Sequence, residues 1–171
     1  PPGLLMIIAA ALLPFLPHMV RQIFMLGAIS LSAYGLVLGA GTHLIWDVIG
    51  FELVLYRADS LSFPFAVIFH IAAALNVIYS LHDKHWSQHC AAMSYAGAAI
   101  AALHAGDLIT LFIWWEATAV TSVFLILAAG TTTARRAAMR YLIFQVLSGV
   151  LLLAGGAIYA AKTGSVAFTS M

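Results

Sequence analysis

Six windows of this chain run long and apolar with their charges, Glu116 apart, pushed to the ends, and a lipid bilayer is the solvent in which such windows can sit. A helix that crosses the hydrocarbon layer needs about 20 mostly apolar residues. The windows cover residues 4–16, 23–41, 61–81, 91–105, 107–129 and 138–161. The first is short, and Pro14 and Pro17 mark its exit. Pro64 opens the third, where its missing N–H costs little because first-turn donors have no intrahelical partner. Composition agrees, at 64% hydrophobic and 8% charged, against roughly 45–50% and 25% in soluble domains. A soluble globular enzyme is excluded. The sequence predicts an all-α membrane protein of six transmembrane helices, with residues 1–171 forming a single transmembrane domain.

Six acids oppose seven bases, a net charge of +1 that leaves no basic footprint for nucleic acid. The single cysteine, Cys90, makes neither an intramolecular disulfide nor a Cys-based zinc site. Pro1, Pro2 and Gly3 lead uncharged into apolar sequence, unlike a cleavable signal peptide, so the first helix is expected to be retained. The long extramembrane stretch, residues 42–60, contains Leu53, Val54, Leu55 and Tyr56 as a strand of a short hairpin between helices 2 and 3, with Gly50 as the turn candidate. Arg21, Lys84, Arg135, Arg136 and Arg140 fall on one side of the membrane, against Arg57 and Lys162 on the other. The positive-inside rule puts the first side in the cytoplasm and the N-terminus outside.

Glu116 carries the most chemistry. In a continuous helix it lies about 13–14 Å from Asp107, close to mid-membrane. An ionisable group there costs at least about 2.5–3.5 kcal/mol to insert, and such residues mark ion or proton pathways. The sixth window supplies company, since Tyr141, Gln145 and Ser148 recur at helical spacing as a polar stripe. That stripe either bonds adjacent helices or lines a hydrated path beside Glu116. His70, ten residues into the third window, suits a proton relay or a neutral core position equally. His104, just before Gly106 and Asp107, is expected at the interface, with solvent access. Arg136 and Arg140 read as snorkelling anchors.

His82, His85 and His89 would share a helical face and look metal-like, but Lys84 among them repels a cation and Trp86 suits a membrane interface. No metal site is assigned. Gly35 and Gly39 form a G-x-x-x-G pair of the kind that packs helices closely. No nucleotide-binding, zincin or hydrolase motif occurs, and no cofactor is implied.

Asp107-Leu108-Ile109-Thr110-Leu111-Phe112-Ile113-Trp114-Trp115-Glu116, with Arg57 to Ser62 upstream and Arg140 to Gln145 downstream, resembles the antiporter-like subunits shared by respiratory complex I and Mrp-type multisubunit cation/proton antiporters. The D-type member of the Mrp set is the nearest look, and the resemblance covers the N-terminal six-helix portion of that family. It implies a bacterial inner (plasma) membrane, partner membrane subunits, the lipid bilayer, and H+ with Na+ as transported ions. It also matches Glu116 to the family's fifth-helix glutamate, whose partner lysine on a seventh helix has no counterpart here. The implied function is proton/sodium translocation with Glu116 as the proton-binding group and His70, Tyr141 and Gln145 along its path. Two alternatives remain: a membrane subunit of a complex I-like NADH:quinone oxidoreductase or hydrogenase, and a non-transporting structural subunit of a larger assembly. In each, the chain is not itself an enzyme, and any redox chemistry belongs to other subunits.

Overall fold

A computed structural model describes residues 1–39, 43–48 and 51–168. Six α-helices and one hairpin follow in the order the apolar windows predict: α1 (Pro2–Leu12), α2 (His18–Leu38), β1 (His43–Val48), β2 (Phe51–Arg57), α3 (Ser62–Tyr79), α4 (Trp86–Leu103), α5 (Leu108–Leu127) and α6 (Thr132–Thr163). The expected Gly50 turn lies outside the described residues.

Four helices, α2, α3, α5 and α6, are long and apolar enough to cross a membrane. The other two depart from the windows for local reasons. α1 breaks where Pro14 forces a short 3-10 turn at Leu13–Phe15. α4 starts earlier than its window, because Trp86, Ser87, Gln88 and His89 form a polar first turn that hydropathy excludes. α6 likewise begins ahead of its window, where Thr131 caps it by accepting from Ala134 N–H, so Arg135, Arg136 and Arg140 ride on the helix itself. At 32 residues it is about 48 Å long, longer than a hydrocarbon layer of about 30 Å.

The core lies around α1. Met6, Ala9, Ala10 and Leu13 pack with Met25, Ala28 and Ile29 of α2, Val77 of α3, and Met93 and Ile100 of α4. Close approach of α1 to α4 depends on Gly3 and Gly97, where a Cβ on Gly97 would sit 2.7 Å from the Gly3 carbonyl. The expected contact at Gly35 is absent, since a side chain there would meet open space. α5 packs on α4, and α6 on α5. α6 is peripheral, with Ala138 and Gly149 its buried residues.

β1 and β2 pair antiparallel, Trp46 against Leu53 and Leu44 against Tyr56, with a bulge after Leu44. Leu53 and Tyr56 turn inward, whereas Leu44, Ile45 and Trp46 are exposed. At the other end, Arg21 is buried and donates to the carbonyls of Leu13 (3.3 Å), Leu16 (3.0 Å) and Lys84 (3.2 Å). Leu16 and Lys84 offer carbonyls outside the helices, and the Leu13 carbonyl, which also accepts the Leu16 N–H at 3.2 Å, has a second lone pair free for the charged donor.

Candidate proton site between helices 5 and 6

The start of α5 is fixed by Asp107. Its side chain is fully buried, and its Oδ1 accepts from Thr110 N–H at 2.7 Å while Oδ2 accepts from the Thr110 hydroxyl at 2.7 Å and from Val54 N–H at 2.8 Å. One carboxylate thus caps the helix and ties it to β2. Gly106 N–H donates to Val54 O, and Leu108 N–H to Val166 O, so the segment after α6 is stitched to the same point. The motif around Asp107 does not by itself disclose this role, although an acid immediately before an apolar helical run is the signal for an N-cap.

From that fixed start, Glu116 falls near the middle of α5 and faces α6. Its Oε1 is buried and has no hydrogen-bond partner. A Cβ built on Gly149 would overlap Oε1 and lie 2.8 Å from Cδ and 3.4 Å from Oε2. Glycine at 149 therefore leaves the notch that the carboxyl fills. Along the same antiparallel seam, Ser122 of α5 donates to the Tyr141 hydroxyl of α6 at 2.8 Å. Tyr141, Gln145 and Gly149 recur every four residues and share one face. Gln145 is half-buried between the other two, whereas Ser148 is exposed and leaves the polar stripe. Gly149 and Ser122 escape a reading of the sequence for polar residues within spans, although Gly149 continues the four-residue spacing of the stripe.

No cation balances the carboxyl among the described residues, whose ion pair joins Arg57 and Asp59 at 3.4 Å on the hairpin side. Arg136 and Arg140 are exposed on α6. An unpaired, buried carboxylate oxygen is costly while charged, and a proton placed on the carboxyl removes that cost.

His70 is held elsewhere. It is 3% exposed, with Nδ1 2.7 Å from Ala66 O and Nε2 2.8 Å from Ser32 Oγ, so it is bonded into α2 and its own helix and to nothing on α5 or α6. His104 does not have the solvent access expected of it. It is 2% exposed, lies against Tyr56 with ring centroids 5.0 Å apart, and donates from Nδ1 to Ile100 O. The hairpin covers it, which a reading of helices alone does not anticipate.

The loop histidines do not converge either. α4 begins at Trp86, so His82 and His85 precede the helix on which His89 sits. His89 and His18 instead both meet the Asp83 carbonyl oxygen, at 3.0 and 3.1 Å. Among the described residues, no three potential ligands come together as a metal site.

Comparison with known proteins gives a family match over the C-terminal part of the chain and fold matches over nearly all of it. Residues 105–171 match the family described as NADH:quinone oxidoreductase/Mrp antiporter, transmembrane. Uncharacterized protein MJ1309 of Methanocaldococcus jannaschii is 30% identical over 107 residues, which are 61% of this chain and 22% of that protein. A chain of respiratory complex I from Thermus thermophilus with bound aureothin has the same fold, with a TM-score of 0.81 at 17% identity over 99% of this chain and 39% of that chain. A chain of the membrane-bound sulfane sulfur reductase, an archaeal respiratory membrane complex, gives 0.82 at 22% identity over 98% of this chain and 28% of that chain. This chain spans well under half the length of each. By sequence, residues 105–171 are similar to the NADH:quinone oxidoreductase/Mrp antiporter transmembrane family, and by fold nearly the whole chain is similar to chains of two respiratory membrane complexes.

Proposed function

We propose that this chain is a membrane subunit of a proton-translocating complex, in which Glu116 binds and releases the transported proton. The observation that carries the reading is the buried, unpartnered Oε1 of Glu116 in the notch at Gly149. Tyr141 and Gln145 lie on the face of α6 that continues from this notch and serve as the neighbouring path. The N-terminus lies outside and the basic start of α6 in the cytoplasm. Most of α6 is exposed and apolar, a surface suited to lipid and to other membrane subunits. The membrane is the plasma membrane, and matched relatives include archaeal chains.

In the Mrp-type form of this reading, the chain is a D-type antiporter component and proton movement is exchanged for sodium. A redox-driven form is favoured by a specific observation, that the two solved structures described above belong to respiratory complexes. In that form quinone or sulfur chemistry resides in partner subunits. Proton flux in vesicles containing the purified native complex separates these cases. Glu116→Gln removes the charge and nearly preserves shape, so flux is lost while assembly is intact. Dependence of wild-type flux on a sodium gradient identifies the antiporter form, and dependence on an added reductant identifies the respiratory one. Unchanged flux in Glu116→Gln overturns the role of Glu116 and leaves a structural role for the chain.

A further inference from the structure

Hydrogen counting at His70 leads to a second site. A neutral imidazole has one N–H, and the Ala66 carbonyl, 2.7 Å from Nδ1, takes it. Nε2 is then an acceptor 2.8 Å from Ser32 Oγ, yet Ser32 Oγ also lies 2.8 Å from the Pro2 carbonyl oxygen. The hydroxyl has one proton and two acceptors. All three contacts are satisfied together only when both ring nitrogens carry protons: Nδ1–H to Ala66 O, Nε2–H to Ser32 Oγ, and Ser32 Oγ–H to Pro2 O. Neutral His70 leaves one hydrogen position of this buried chain vacant.

That position borders a cavity of about 300 Å³ beneath the hairpin, lined by Pro2, Leu5, Leu31, Ser32, Gly35 and Leu44. Ser32 belongs both to this cavity and to the hydrogen bond with His70, and Gly35, one turn along α2, has open space where a side chain would go.

We propose that His70 is a second proton-binding site, charged from the hairpin-side cavity through Ser32. As the proton enters, the Ser32 Oγ–H bond breaks while Nε2–H forms, and Oγ takes a proton from a hydronium ion in the cavity and directs it to the Pro2 carbonyl. One proton leaves the cavity and one positive charge appears on the ring. The site ties α1, α2 and α3 together when charged and releases one of those contacts when neutral. α1 and α2 present the Pro2 carbonyl and the Ser32 hydroxyl, and the end of α4 presents His104 as the titratable neighbour. On the hairpin side, Tyr56 stacks on His104, and Asp59 is paired with Arg57. The proposal is independent of Glu116, since the ring itself is read.

Nitrogen-15 NMR of the histidine rings in the full chain in lipid bilayers tests it. At mildly acidic pH, both nitrogens of His70 carry protons in the wild type and in Ser32→Thr. Ser32→Ala loses the imidazolium signal, because Nε2–H has no acceptor. Gly35→Leu fills the cavity without touching the hydrogen bonds and slows exchange of the Nε2 proton with deuterated solvent several-fold. A single neutral tautomer of His70 at every pH where the protein stays folded overturns the proposal. So does a Ser32→Ala protein that charges as readily as the wild type, or exchange unaffected by Gly35→Leu.

Discussion

The carboxyl of Glu116 occupies the space that any side chain at Gly149 would fill, with its Cδ 2.8 Å from the position of a Cβ there. Two helices thus build one site, the acid from α5 and the vacancy from α6. Gly149→Ala displaces the carboxyl, and since the atoms in its way are the far end of a flexible side chain, the expected effect falls on the site more than on stability. Gly155→Ala on the same helix meets nothing, and by helix propensity gains about 0.5–1 kcal/mol. Thermal unfolding and proton flux measured on both variants should part: flux falls in Gly149→Ala and persists in Gly155→Ala. Equal behaviour of the two contradicts the notch.

The Tyr141 hydroxyl accepts from Ser122 at 2.8 Å across the same seam. Tyr141→Phe removes that bond at a net cost of about 0.5–1.5 kcal/mol. In a double-mutant cycle with Ser122→Ala, the two losses are not additive, because either one breaks the contact. Additive losses show that the hydroxyls do not meet.

Asp107 accepts three hydrogen bonds and is wholly buried. Asp107→Ala strands Val54 N–H and the first turn of α5, an expected loss of about 2–3 kcal/mol, since bonds to charged groups are the strong ones. Amide hydrogen exchange reads the site directly, with faster exchange at both Val54 and Thr110. Acceleration confined to α5 would remove Asp107 as the tie to the hairpin.

Acid acts at the start of α3. The Ser62 backbone N–H, 2.7 Å from Asp59 Oδ1, holds the Asp59 carboxyl below its ordinary range, with the Ser62 hydroxyl and Arg57 adding to it against partial burial. A carboxyl lowered in the folded state contributes stability that is complete above its unfolded value, about 3.9, and is lost as pH falls through the folded value. Exchange at the Ser62 amide, corrected for intrinsic rate, is therefore protected at pH about 5 and progressively exposed below about 4. Asp59→Ala, which has no acceptor for the Ser62 N–H, is already unprotected at the higher pH, whereas Asp59→Asn keeps an amide oxygen there and loses the pH dependence. A wild-type amide whose protection ignores this window contradicts the assignment.

Span positions were legible because apolar windows of membrane length leave few alternatives, and the strand at Leu53–Tyr56 announced itself by residue type. Window ends were not, since helices continue beyond hydrocarbon wherever a cap such as Thr131 or a polar turn such as that after Trp86 supports them. Glu116 stood out as a lone mid-span acid. Its notch did not, because a glycine in a membrane helix has many uses and only the facing residue distinguishes them. His104 departs from expectation for a related reason: its place at a helix end predicts water, whereas the folded hairpin lays Tyr56 over it. The hydrogen-bond chain through His70 joins residues of three helices, a coincidence that no local pattern encodes.

The central claim is that Glu116 exchanges a proton inside the membrane. Infrared difference spectroscopy of the protein in lipid, taken between acidic and alkaline pH, detects protonated carboxyl groups directly. The account predicts a reversible protonated-carboxyl band that disappears in Glu116→Gln and shifts in frequency in Gly149→Ala. A difference spectrum identical in wild type and Glu116→Gln contradicts it, because Glu116 would then hold one protonation state throughout.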